Sequence, residues 1–192
     1  MKHLWAPWRM QYILQSAVNR KSELQKSSHQ TEKPQLVGAD VSGLPCFICD
    51  ALNAGPEYDR ANYLVWRGEV ASVLLNKYPY NNGHLLVVPN DHIAELTSLS
   101  EKSLTEPVRL MQSCLNVLNL MMEPQGYNVG LNQGRIAGAG LPGHLHWHIV
   151  PRWLGDVNFM PAVADTRVIV DSLEAFYDRF AKEFAEYQGQ NL

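Results

Sequence analysis

Apolar and polar residues alternate over several short stretches of the 192-residue chain, and a period of two predicts strands. Residues 62–66 and 71–76 read as two strands joined by a hairpin turn at Arg67-Gly68-Glu69-Val70. Asn81-Asn82-Gly83 is a turn, and residues 84–89 form the next strand. The period then lengthens. Leu104, Val108, Met111, Leu115, Leu118 and Met122 step by threes and fours, as one face of a helix does. Pro107 lies within the first turns of that pattern and marks its start or a kink. Residues 127–132 and 144–151 read as two further strands. A closing helix spans 171–187, with Asp171 as N-cap and an apolar stripe of Leu173, Phe176, Tyr177, Phe180 and Phe184. Strands, helix, strands, helix is the order of an α+β fold built on an antiparallel sheet.

Composition changes this picture mainly at the N-terminal end. Between Asn19 and Val41 the chain is polar with few large apolar groups, too few to offset the entropy of ordering it. The expected organisation is an N-terminal arm at 1–18, a mobile insertion at 19–41 and a main domain at 42–192. Apolar residues make up 46% of the chain, enough for a sizeable core, and the formal charge of −3 gives no global field favouring nucleic acid. Met1 to Arg9 has no apolar run ahead of its charges, and no window is long and apolar enough to span a bilayer. A soluble cytoplasmic protein without membrane or nucleic-acid partners is the expectation. The three cysteines, two of them in Cys46-Phe47-Ile48-Cys49, fit metal or thiol chemistry and not a disulfide framework.

The chemistry concentrates in His144-Leu145-His146-Trp147-His148. Residues two apart on a strand face the same way, so three imidazoles share one side while Leu145, Trp147, Ile149 and Val150 occupy the alternate places. One histidine so placed would carry no message; three in register do. Neutral imidazole is a metal ligand, a nucleophile or an acid/base near pH 7. The preceding segment, Asn132 to Gly143, is rich in glycine (Gly134, Gly138, Gly140 and Gly143). Glycine lets backbone N–H groups approach a phosphate. A phosphate held beside an imidazole points to phosphoryl or nucleotidyl transfer.

These residues resemble the histidine triad (HIT) superfamily, whose signature alternates three histidines with apolar residues and ends in two apolar ones, as His144 to Val150 does. The segments from Leu75 to His84 and from Val88 to Ile93 resemble the family's sequences around its central strand. Leu4 to Arg9 and Val150 to Trp153 resemble its diadenosine tetraphosphate phosphorylase-like branch. The resemblance implies an antiparallel sheet with a central and a C-terminal helix. It implies a dinucleoside polyphosphate or similar nucleotide as substrate, with water or phosphate as acceptor. His146 would attack the α-phosphorus to give a covalent nucleotidyl-imidazole, and a strand carbonyl would hold its other ring proton. His148 would contact the phosphate, Asn76 the ribose hydroxyls and Asn132 the phosphate region, with Gly138 and Gly140 offering backbone donors. A purine nucleoside phosphoramidase-like hydrolase and a regulatory nucleotide-binding module are the alternatives. The related galactose-1-phosphate uridylyltransferases carry glutamine where this chain has His148.

Relatives that keep the cysteine pair bind zinc, which implies a structural site of Cys46, Cys49, His92 and His144. Many pair as homodimers through the central helix region, and the same is expected here. Of the remaining candidates, Cys114 reads as core and His3 and His29 have no assigned role. His84 reads equally as a site residue or a structural one. Arg135 and Arg152 read as surface residues within reach of a phosphate.

Overall fold

The computed structural model describes residues 46–156 and 171–191; the arm at 1–18 and the insertion at 19–41 lie outside them. Five strands form one antiparallel sheet: β1 (Leu64–Arg67), β2 (Ala71–Leu75), β3 (Leu85–Pro89), β4 (Gly126–Leu131) and β5 (Trp147–Arg152), in the order β1-β2-β3-β5-β4. Three α-helices accompany them: α1 (Phe47–Asn53), α2 (Glu101–Met122) and α3 (Leu173–Asn191). None of the described helices is long and apolar enough to cross a membrane.

Alternation divides the sheet's side chains between two apolar clusters. Ala71, Val73, Leu75, Leu85, Val87, Trp147 and Ile149 pack against α2 and α3. Leu74, Leu86 and Val88 point to the other face, where they meet Ile48, Cys49 and Ala51 of α1 and Leu141. Both faces of β2 and β3 are therefore buried, and these central strands read as near-continuous apolar runs. The β1–β2 turn is held by Glu106 of α2, whose carboxylate accepts the Glu69 and Val70 N–H groups at 2.7 Å each.

The elements agree with the sequence reading in kind and differ in detail. α2 begins at Glu101, where the Ser100 hydroxyl caps it by accepting the Ser103 N–H at 3.1 Å. It runs on through Pro107, which thus marks no start. The buried face of α2 is Ser103, Pro107, Leu110, Cys114, Val117 and Leu118, while Leu104 and Val108 are exposed. The expected stripe is offset by one residue over its first turns. The apolar positions of this helix are wider than one face, and their spacing alone does not say which edge turns inward.

At α3 the apolar stripe is as expected, with Phe176, Tyr177, Phe180 and Phe184 buried and Leu173 packed on their edge. Burying each of the large side chains contributes roughly 1.5–3 kcal/mol. The cap is Ser172, whose hydroxyl accepts the Ala175 N–H at 3.1 Å, and Asp171 instead pairs with Arg179. The last strand begins at Trp147, so His144 and His146 precede it. Pairing between β3 and β5 stops at Val87↔Trp147. Beyond it the Pro89 carbonyl bonds to the His144 ring and the Leu145 N–H donates to the Ile93 carbonyl at 2.7 Å. Proline has no N–H with which to continue a ladder.

Candidate functional site

The three histidines still fall on one side of the chain. Leu145, Trp147 and Ile149 are buried between them, and His148 pairs in register with Leu86 on the α1 face of the sheet. What differs among the three is the partner of each ring.

His144 is buried and its Nε2–H donates to the Pro89 carbonyl at 2.9 Å, which leaves Nδ1 as a bare lone pair. That nitrogen lies 3.4 Å from Cys46 Sγ and 3.5 Å from Cys49 Sγ, and His92 Nδ1 lies 3.2 Å from Cys49 Sγ. All four ligand atoms fall within 4.8 Å of one another. The structure thus brings together Cys46, Cys49, His92 and His144, from the start of α1, the loop after β3 and the approach to β5. Zn–S bonds of about 2.3 Å and Zn–N bonds of about 2.0 Å, arranged tetrahedrally, require S···N edges of about 3.5 Å. The residues fit such an ion, and the Pro89 carbonyl orients His144 as an outer partner orients a ligating imidazole. Burial, then the hydrogen bond and charge of Cys46, push the Cys49 thiol up to about 12. A thiolate at Cys49 therefore needs a cation beside it.

His146 is buried and donates Nδ1–H to the His144 carbonyl at 2.8 Å. The remaining lone pair is on Nε2, so this imidazole is held in the tautomer a nucleophile needs. Its ring stands edge-on to His148 with centroids 4.9 Å apart. Burial, then the charge of His146, lower the His148 pKa to about 4, so its ring is neutral near pH 7. Burial likewise lowers His144 to about 4, against the opposing pull of its Pro89 hydrogen bond.

His84 belongs to the same cluster. It is wholly buried, and its Nε2 lies 2.9 Å from His148 Nδ1. Tyr80 stacks on His148 with centroids 5.9 Å apart. Alternation along β3 already put His84 on the face of Leu86 and Val88. Its closeness to His148 depends on the pairing of β3 with β5, strands far apart in sequence.

The other candidates are less concentrated. Asn76 follows β2; its Oδ1 accepts the Tyr78 N–H at 2.9 Å and its Nδ2 lies 3.3 Å from His84 Nδ1. Asn132 follows β4, close enough to Gly138 that a Cβ there would come within 3.9 Å of its Nδ2. Gly134 and Gly138 have φ of +83° and +92°, conformations that disfavour side chains. The Gly138 N–H already donates to the Arg135 carbonyl at 3.0 Å. Gly140 is open, with nothing within 4 Å of an added Cβ. Arg135 is exposed on this loop, while Arg152 is committed to Asp156 and Asn128.

Comparison with known proteins agrees with this geometry. A profile of the HIT domain matches residues 61–153. The chain is 36% identical over 187 residues to the AP-4-A phosphorylase of Mycobacterium tuberculosis, covering 96% of this chain and 85% of that one. Among solved structures, it is similar to a hypothetical histidine triad nucleotide-binding protein of Sulfolobus tokodaii, with TM-score 0.57, 25% identity, and 76% and 93% of the two chains covered. A Zn-bound histidine triad family protein of Mycobacterium smegmatis shares the fold at TM-score 0.54 and 22% identity, over 67% of this chain and 87% of that one. With one imidazole turned to a thiol pair, one to a carbonyl and one to a fourth histidine on a five-stranded antiparallel sheet, the chain belongs to the HIT family.

Proposed function

We propose that this protein is a nucleotidyl hydrolase or phosphorylase acting on dinucleoside polyphosphates. The observation that carries the reading is the His146 Nδ1–H bond to the His144 carbonyl, which presents Nε2 as the attacking atom. In the first step Nε2 attacks the α-phosphorus, a P–N bond forms, and the P–O bond to the departing nucleoside polyphosphate breaks. In the second step water or phosphate attacks the same phosphorus and the P–N bond breaks. Splitting one displacement into two is the use of covalent catalysis. His148 donates a hydrogen bond to a phosphoryl oxygen, where charge develops. Asn76 holds ribose hydroxyls, and Asn132, Gly138 and Gly140 border the phosphates. At Gly138 the role is conformational, because its N–H is taken within the loop.

Leaving-group chemistry favours a polyphosphate over an adenylated amine. An amine must be protonated as it leaves, whereas a polyphosphate is already a fairly good leaving group. The similarity to an AP-4-A phosphorylase supports the same substrate class. The test is product analysis with a diadenosine polyphosphate, with and without inorganic phosphate. ADP from the attacked end when phosphate is present identifies a phosphorylase, and AMP in both cases a hydrolase. Tight nucleotide binding without turnover would contradict both and leave a binding module.

We further propose that Cys46, Cys49, His92 and His144 hold a structural zinc, on the strength of their clustering, with all four ligand atoms within 4.8 Å of one another. Zinc there would tie α1 to the approach to the nucleophile. The three free thiols suit a reducing cytoplasm. The protein forms a homodimer through the outer stripe of α2 and the edge strand β4. Val108 and Val129 are exposed there. Tyr127 joins the two elements, its hydroxyl donating to Asn119 Oδ1 of α2 at 2.8 Å.

A further inference from the structure

His84 has no part in the mechanism above, yet it is wholly buried and has a hydrogen-bonding partner at each ring nitrogen. The Tyr80 backbone N–H lies 3.0 Å from His84 Nδ1. A backbone N–H can only donate, so Nδ1 must be the bare nitrogen. The Asn76 amide, turned by the Tyr78 N–H that its Oδ1 accepts, lies 3.3 Å from Nδ1 and 3.4 Å from Nε2, so the choice between the two nitrogens is made by the Tyr80 N–H. The single ring proton of neutral His84 is therefore on Nε2. That nitrogen lies 2.9 Å from His148 Nδ1, so it donates there, and His148 in turn carries its proton on Nε2.

We infer that His84 is a positioning residue that fixes His148 as an Nε2–H donor, so that the orientation of one backbone amide, at Tyr80, is passed through two imidazoles to the phosphate. The alternative tautomer would present a lone pair to an anionic oxygen and repel it. The chain of bonds has one direction only, because its first member cannot accept. Burial, then the charges of His148 and His146, lower the His84 pKa to about 3, which keeps the relay neutral across the working range of pH. Tyr80 lies against both rings, with centroids 4.7 Å from His84 and 5.9 Å from His148.

The role at the phosphate rests on the proposed nucleotidyl transfer, but the tautomer can be read without any substrate. The full-length protein would be labelled with 15N-histidine and its ring nitrogens correlated with the ring carbon-bound protons, His148 being assigned by loss of its signals in His148→Asn. His148 is expected as a single Nε2–H tautomer; an Nδ1–H tautomer or an even mixture overturns the proposal. In His84→Leu the His148 signals should become a mixture, and kcat should fall at least about tenfold, as when an oriented donor at a reacting oxygen is lost, with KM little changed. His84→Gln keeps an N–H near the Nε2 position and should restore both the tautomer and most of kcat. A folded His84→Leu that keeps the wild-type His148 spectrum would overturn the proposal. If that variant does not fold, the wild-type spectrum and His84→Gln still decide. An Nε2–H His148 in a protein without turnover would instead refute the enzymatic reading alone.

Discussion

His146 can attack only through Nε2, because its other nitrogen is committed to a carbonyl two residues away. His146→Ala should therefore lower turnover by about a thousandfold or more while nucleotide affinity, followed by equilibrium dialysis, stays near that of the wild type. Retained turnover would place the nucleophile elsewhere. Burial of neutral His84 has a consequence for stability. Its ring takes a proton at about 3 in the folded chain against 6.5 for an ordinary histidine, so between these values the unfolded state binds the extra proton. Stability is fully present above pH 6.5 and falls as the pH drops toward 3, by about 1.4 kcal/mol per pH unit for this one group. Urea denaturation across that range should be less pH-dependent in His84→Gln by about one proton; equal slopes would contradict the burial argument. At this scale the sequence was most informative where spacing alone places side chains. The alternation of His144, His146 and His148 was readable from the chain, and the family resemblance gave Cys46 as a neighbour of His144 and a carbonyl for His146. Pro89 beside His144 and His84 beside His148 were not given, because they reach these rings through pairings between segments that lie far apart in sequence.

Strands and helices were legible as elements because their periods differ, and their ends were not, because ends are decided by single hydrogen bonds. β5 begins at Trp147 since the Pro89 carbonyl is taken by a side chain. α2 begins at Glu101 since Ser100 caps it, although the apolar pattern starts later. Helix α2 also carries the clearest correction, the inward turn of Ser103, Pro107 and Leu110 in place of Leu104 and Val108. Leu110→Ala should cost about 2–5 kcal/mol as a buried truncation. Leu104→Ala should fall within about 0.5–1 kcal/mol of the wild type, as exposed substitutions do. Chemical denaturation of the two variants distinguishes the faces, and a reversed order would restore the original stripe. The exposed stripe has its own expectation. Val108→Glu with Val129→Lys should leave the circular dichroism unchanged and convert a dimer to a monomer in analytical ultracentrifugation; a dimer that survives would move the interface elsewhere.

For the whole molecule, the two clusters that flank the sheet serve different ends. The α2–α3 side is mainly apolar and supplies packing. The α1 side combines a smaller apolar cluster with the thiol–imidazole group and the histidines. A zinc ion would couple stability to the site, because one of its ligands, His144, supplies the carbonyl that orients His146. The purified protein should contain one zinc per chain by metal analysis. Chelation or Cys49→Ala should lower Tm by about 10 °C, the shift expected for a loss of a few kcal/mol in a domain of this size. A zinc-free protein with an unchanged Tm would remove the claim. The α+β class and the family were readable from the whole chain, but the division of labour between the two sheet faces required the strand order. A covalent nucleotidyl-His146 can be caught by acid-free rapid quench and intact-mass spectrometry of the enzyme mixed with diadenosine tetraphosphate. A transient adduct of one nucleotide per chain is expected, mapped to the peptide bearing His146 and missing in His146→Ala. Rapid turnover with no adduct at any quench time, or an adduct that persists in His146→Ala, would contradict that expectation.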